Sequence, residues 1–143
     1  VLGFITFPWR GAYVASKFAL EGLTDTLRIE MRDTPIHVVL IQPGPIATDF
    51  RKNSVKGFER WIDWQKSARV EQYRSNLLKR LYAAQAEADF FELPASAVTK
   101  KLIHALDSKR PKARYMVTTP TYVLNIQHSV FGNPLLARII AKG

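Results

Sequence analysis

Ile36-His37-Val38-Val39-Leu40-Ile41 is short, rich in β-branched residues and almost wholly apolar. A strand with no polar face belongs in a sheet covered on both sides, as parallel sheets usually are. Gln42-Pro43-Gly44-Pro45 stops it, because proline cannot extend a hydrogen-bond ladder. Ahead of it, Gly11 to Asp33 carries Val14, Ala15, Phe18, Ala19, Gly22, Leu23 and Leu27 at helical spacings of three and four. Glu21, Asp25, Arg28 and Arg32 take much of the remaining surface, and Asp33-Thr34-Pro35 ends the helix. A helix running into a doubly covered strand is the second half of a βαβ unit, which predicts an α/β class.

Residues 49–92 read as helical and irregular, with a long segment near Ala68–Ala88 and a turn at Leu93-Pro94. Ala95 to Ser108 reads as a helix with Val98, Leu102, Ile103 and Leu106 on one side, and Lys109 to Lys112 as a turn. Tyr115-Met116-Val117-Thr118 reads as a strand closed by Pro120. The tail after Thr121 is amphipathic and predicted to be helical in pieces, broken at Gly132-Asn133-Pro134. Two strands make a poor sheet, so further strands are expected upstream of Val1. The apolar opening from Val1 to Trp9 lacks an initiator Met and a basic leader, and reads as a strand or loop cut open.

The 143 residues suffice for one domain with a real core. With no cysteine, disulfide frameworks, thiolate metal sites and cysteine nucleophiles are excluded. No apolar run reaches the roughly 18 residues of a membrane span. The net charge of +9 is uneven: residues 1–50 hold 4 basic and 5 acidic groups, whereas residues 51–80 hold 9 and 3. Such a basic surface serves anionic partners or is simply a solvated face. His37, His104 and His128 have no metal-ligand spacing and read as structural or surface residues, so no metal is expected.

Two short stretches carry candidate chemistry. Tyr13 and Lys17 stand four residues apart on one helix face. An ammonium beside a phenol favours the phenolate and lowers its pKa from about 10, which makes a usable acid and base. Alone, the same spacing also describes an ordinary surface pair. Pro43-Gly44-Pro45-Ile46-Ala47-Thr48 follows the carboxyl end of a covered strand, where open α/β sheets bind ligands. Alone, it equally describes a proline-rich turn with Thr48 capping the next helix.

In this order, Tyr13-Val14-Ala15-Ser16-Lys17, Ala19-Leu20-Glu21-Gly22-Leu23, the apolar strand and Pro43-Gly44-Pro45-Ile46-Ala47-Thr48 resemble the short-chain dehydrogenase/reductase family, over Val1 to about Phe50. The later helix and the Tyr115–Thr118 strand follow the family's order without a specific motif. The resemblance implies the C-terminal part of a Rossmann-like, doubly wound parallel sheet with flanking helices. Residues 1–50 would hold the catalytic helix, strand and loop, 51–97 a flap over the substrate, and 98–143 the closing helix, strand and tail. Tyr13 would be the general acid/base in hydride transfer between an alcohol and a carbonyl. Lys17 would lower its pKa and bind the ribose of NAD or NADP. Pro43, Gly44 and Ile46 would line the nicotinamide, with Thr48 at its carboxamide or pyrophosphate. Phe7 and Trp9 would reach the substrate, and the crowd Phe58, Trp61, Ile62 and Trp64 suits an apolar one or packs the flap down.

The family's glycine-rich dinucleotide fingerprint and Asn-Ala-Gly strand end do not occur in the sequence, and its catalytic serine would fall just before Val1. The expectation is therefore the C-terminal half of a cytoplasmic reductase, inactive by itself. The resemblance also implies a homodimer or homotetramer for the intact protein, built on the small residues Ala12, Ala15, Ala19 and Gly22. The competing reading is a non-catalytic basic domain binding anionic lipid or nucleic acid, its tail lying on a membrane surface. The order of the Tyr-Lys and Pro-Gly motifs favours the reductase, and no nucleic-acid motif is present.

Overall fold

The computed structural model describes residues 2–83 and 90–142, with the backbone alone at 83 and 131–142. Helix α1, Gly11–Glu30, forms where helical periodicity is clearest. It ends three residues before Asp33 because its last turn tightens: Arg32 N–H donates to Ile29 and Thr34 N–H to Met31. The Thr34 hydroxyl also donates to the Met31 carbonyl and accepts from Ile36 N–H, diverting the chain from the helix.

Strand β1, Leu40–Gln42, pairs in parallel with β2, Arg114–Met116, setting Leu40 opposite Arg114, Ile41 opposite Tyr115 and Gln42 opposite Met116. Parallel strands among helices fit part of a Rossmann-like sheet. Both strands are shorter than the apolar runs suggested. Only three residues run alongside a partner, and the Val38 carbonyl is taken instead by Arg28 Nε. The expectation of coverage on both faces also needs correction: Val38 to Ile41 are half-buried, and Ile36 and His37 are exposed. A strand is covered only as far as its neighbours extend, and the described sheet has two strands.

Between the strands lie α2 (Phe50–Trp61), a 3-10 turn (Trp64–Lys66), α3 (Val70–Gln72), a wide π turn (Tyr73–Leu77), α4 (Leu78–Ala83) and α5 (Ser96–Asp107). The segment expected near Ala68–Ala88 is thus a succession of short windings as far as 83, and its end lies outside the described residues. Helix α6, Thr119–Lys142, continues past Gly132-Asn133-Pro134, contrary to the predicted break. Pro134 withholds one backbone donor, while the turns on either side keep theirs. Pro120 sits in the first turn of α6, where a missing N–H costs nothing.

Phe4 and Ile5 form a small core with Leu2, Phe7 and Leu124 around them. Val14, Val55, Tyr115 and Val117 are also buried, as are the polar Thr24, Gln42, Thr118 and Thr121. Leu23 and Ile29 of α1 and Leu106 of α5 remain well over half exposed, so two helices present uncovered apolar faces.

Candidate active site

Tyr13 and Lys17 occupy the first turns of α1, and Lys17 Nζ stands 5.2 Å from the centroid of the Tyr13 ring. Ser16 between them hydrogen-bonds back to the Tyr13 carbonyl at 2.7 Å. Tyr13 is 39% exposed, and its ring lies 5.8 Å from that of Phe50, the first residue of α2. The loop 43–48 that leaves β1 and enters α2 therefore arrives beside the tyrosine. Arg10, immediately before α1, is exposed as a residue, yet crowding by protein atoms and then the Arg80 charge push its guanidinium pKa down; Tyr13 opposes this and Arg51 adds to it.

The loop is gripped along its length. Pro45 C=O accepts from Leu93 N–H at 3.1 Å, and Ala47 N–H donates to Leu93 C=O at 2.9 Å, making a one-residue parallel bridge at Ile46. Gly44 packs against the fully buried Thr118 and Thr121, whose hydroxyls are 2.9 Å apart. Thr48 Oγ1 accepts from Phe50 N–H and donates to Ile46 C=O, both at 3.4 Å, so it leans on the start of α2. Pro43 and Thr48 are exposed, and Gly44 and Ile46 are half-buried.

Trp9 has a left-handed backbone, φ 67°, a conformation that strains a bulky residue. Its ring lies 5.0 Å from Tyr73, which opens the π turn, and Tyr73 is also neighbour to Phe58 at 6.2 Å and Trp64 at 6.5 Å. The aromatic crowd seen in the sequence thus divides. Phe58 and Trp64 join Trp9 and Tyr73, whereas Trp61 points outward under Arg60. Phe7 packs on the Phe4–Ile5 core.

Beneath the pair runs a polar network. Glu21 accepts from Gln42 Nε2 at 2.6 Å and from Arg114 Nε at 3.0 Å. Asp25 takes both oxygens to Arg114 Nη2 at 2.7 Å and is also paired with Arg28, which reaches the carbonyls of Val38 and Ala113. The Arg114 and then the Arg28 hydrogen bonds hold the Asp25 carboxyl below its usual range. The loop grips at Leu93, Thr118 and Thr121 were not legible in the sequence, because each lies far from the loop along the chain. Glu21 and Asp25 could have been noticed as the next members of the i, i+4 row that begins with Tyr13 and Lys17. A cavity of about 360 Å³ between β1 and α5, lined by His37, Ile41 and Leu106 among others, contains neither Tyr13 nor Lys17. His104 instead pairs with the Tyr115 hydroxyl, and His128 lies against Phe4. No group of three or more metal-ligating side chains occurs among the described residues, and no described helix is long and apolar enough to cross a membrane.

Residues 1–58 match the short chain dehydrogenase family. Over 140 residues the chain is 36% identical to the Uncharacterized oxidoreductase YbbO of Escherichia coli, covering 98% of this chain and 45% of that protein. The chain belongs to the short-chain dehydrogenase/reductase family. It is also 31% identical to the NADPH-dependent 3-dehydrocapnine reductase of Ornithobacterium rhinotracheale (98% of this chain, 47% of the relative). A third relative is the Dehydrogenase/reductase SDR family member 9 of Bos taurus, 33% identical over 73% of this chain and 34% of that protein. The chain spans about half the length of the first two relatives. Within this short-chain dehydrogenase/reductase chain, the family match takes in α1, β1, the 43–48 loop and most of α2.

Proposed function

We propose that the protein carrying this chain interconverts an alcohol and a carbonyl with NAD or NADP, using Tyr13 as general acid/base and Lys17 as its electrostatic partner. The observation that carries the reading is the Lys17 ammonium 5.2 Å from the Tyr13 ring, at the end of α1 where the β1 loop arrives. An exposed phenol can exchange a proton with solvent and with a substrate oxygen, and a neighbouring cation favours the phenolate it leaves behind.

The residues present suit the nicotinamide end of a dinucleotide. Lys17 offers up to three donors to ribose hydroxyls, and the exposed Thr48 hydroxyl and Pro43 border the same loop. When bound, the nicotinamide supplies or takes the hydride. Lys17 and the 43–48 loop orient it, and Tyr13 Oη gives a proton to the carbonyl oxygen in reduction or takes it from the alcohol in oxidation.

The cluster of Trp9, Phe58, Trp64 and Tyr73 supports an apolar substrate, with residues 51–97 as the flap over it and 98–143 as the closing part of the domain. The exposed Leu23 and Ile29 on α1 support self-association into a dimer or tetramer. We assign the enzyme to the cytoplasm, where reduced dinucleotide is at hand. The test is dinucleotide-dependent turnover of a panel of apolar alcohols and ketones by the intact protein and its Tyr13→Phe variant. Turnover that survives loss of the hydroxyl would overturn the assignment.

A further inference from the structure

Glu21 is where four parts of the chain meet. It lies one helical turn, about 6 Å along the axis, beyond Lys17 in the row that begins at Tyr13. Gln42 Nε2 donates to one of its oxygens at 2.6 Å, and Arg114 Nε to the other at 3.0 Å. Gly3 presses on it from the opening segment, where an added Cβ would come within 2.8 Å of Glu21 Cγ and 3.2 Å of the Lys17 carbonyl oxygen. Gln42 is the residue immediately before Pro43, it is 4% exposed, and its buried Oε1 has no hydrogen-bond partner among the described residues.

A buried amide with one unsatisfied oxygen is a costly way to end a strand, and an apolar residue would suit the position better for packing alone. Its Nε2 bond to a carboxylate is short and charge-assisted, and so directional. The bond ties the root of the 43–48 loop to the helix that carries Tyr13 and Lys17, one turn from Lys17. Sliding α1 along β1 would break it, whereas the Arg28 contacts anchor only the far end of the helix.

We infer that Glu21 and Gln42 are positioning residues that set the register of the 43–48 loop against Tyr13 and Lys17, an inference that rests on the proposed reductase reading for its effect on cofactor binding. Glu21 has two separable parts. Its oxygen toward Gln42 fixes the loop, and its charge toward Arg114 supports the fold.

The experiment compares Gln42→Leu, Glu21→Gln and Arg28→Gln in the intact enzyme by hydrogen–deuterium exchange of the 43–48 segment without cofactor, by calorimetric titration with NADH and NADPH, and by the pH profile of kcat. In Gln42→Leu the segment should exchange on the order of tenfold faster, and dinucleotide should bind on the order of tenfold more weakly, roughly one charge-assisted hydrogen bond lost. The pH profile should keep its shape, because Tyr13 and Lys17 are untouched. Glu21→Gln retains an acceptor for Gln42 and should leave loop exchange within about twofold while melting at lower temperature. Arg28→Gln should lower the melting temperature without accelerating the loop. If Gln42→Leu does not fold, Gln42→Asn keeps the amide but is too short to span to Glu21, and should show the same faster exchange. Unchanged exchange in 43–48 in the folded Gln42 variant overturns the positioning role. Wild-type protein that binds neither dinucleotide overturns the reductase reading instead, and the exchange result still decides whether the Gln42–Glu21 bond holds the loop.

Discussion

A Cβ placed on Gly44 would overlap the hydroxyl of Thr118 and lie 2.6 Å from Thr121 Oγ1. Both threonines are fully buried, at the junction of β2 with α6, and bonded to each other. Neither side can give way easily, so the glycine is required here by close approach rather than by a turn. Gly44→Ala in the intact protein should lower stability by about 1–3 kcal/mol, the usual cost of overfilling a packed site. Thermal denaturation measures it. A double variant that also carries Thr118→Ser should remain destabilised, since the overlapping oxygen is still there, whereas Thr118→Ala should recover part of the loss.

Tyr13→Phe should reduce kcat by on the order of 10²–10⁴, the range a positioned acid/base contributes, with the melting temperature nearly unchanged. The ring that neighbours Phe50 is retained and only the hydroxyl is lost. Steady-state rates beside melting curves separate the two effects.

Lys17→Ala should cost a similar factor and also weaken dinucleotide binding, because one ammonium serves both the phenol and the ribose in the proposed mechanism. Lys17→Arg should restore only part of this, as a planar guanidinium does not occupy the position of a compact point charge. Full recovery by arginine would show that a positive charge alone is enough.

Asp25 gives a pH signature. Arg114 and Arg28 depress its pKa in the folded protein, so its contribution is present above the unfolded value of about 4 and is lost as pH falls through the folded value. The stability gap between wild type and Asp25→Asn should therefore be flat above about pH 5 and close in more acidic solution. Its partly exposed carboxylate makes the gap salt-sensitive as well. Denaturant melts between neutral and acidic pH provide the measurement, and a gap that widens on acidification contradicts this origin.

Residues 1–143 expressed alone should aggregate and bind NADH or NADPH weakly, with any dissociation constant above roughly 100 μM. Leu23, Ile29 and Leu106 expose apolar faces, and the sequence has no glycine-rich phosphate turn. Dye binding to exposed apolar surface and calorimetric titration test the two halves of this expectation.

Local pattern explains what could be read ahead of the structure. The periodicity of residues 11–30 and the apolar run ending at Ile41 placed Tyr13, Lys17 and the 43–48 loop on the right kinds of element, because 3.6-residue periodicity and ladder-breaking prolines act over a few residues. Strand length was overestimated, since pairing depends on how far a partner runs alongside, and β2 accompanies β1 for three residues. The break expected at Pro134 did not occur, because helix on both sides outweighs one missing donor. The contacts that hold the site, Leu93 on Ala47, Thr118 under Gly44 and Arg114 on Glu21, join residues tens of positions apart and leave no periodic trace.

The left-handed backbone at Trp9 has a practical consequence for anyone altering this protein. Replacing Trp9 with glycine would release about 1–2 kcal/mol of conformational strain and forfeit an aromatic contact with Tyr73 worth about 0.5–1.5 kcal/mol. Opposite effects of similar size leave the melting temperature almost where it was. A library sorted on thermal tolerance would therefore accept Trp9→Gly as silent, although the aromatic cluster around Tyr73 has lost a ring.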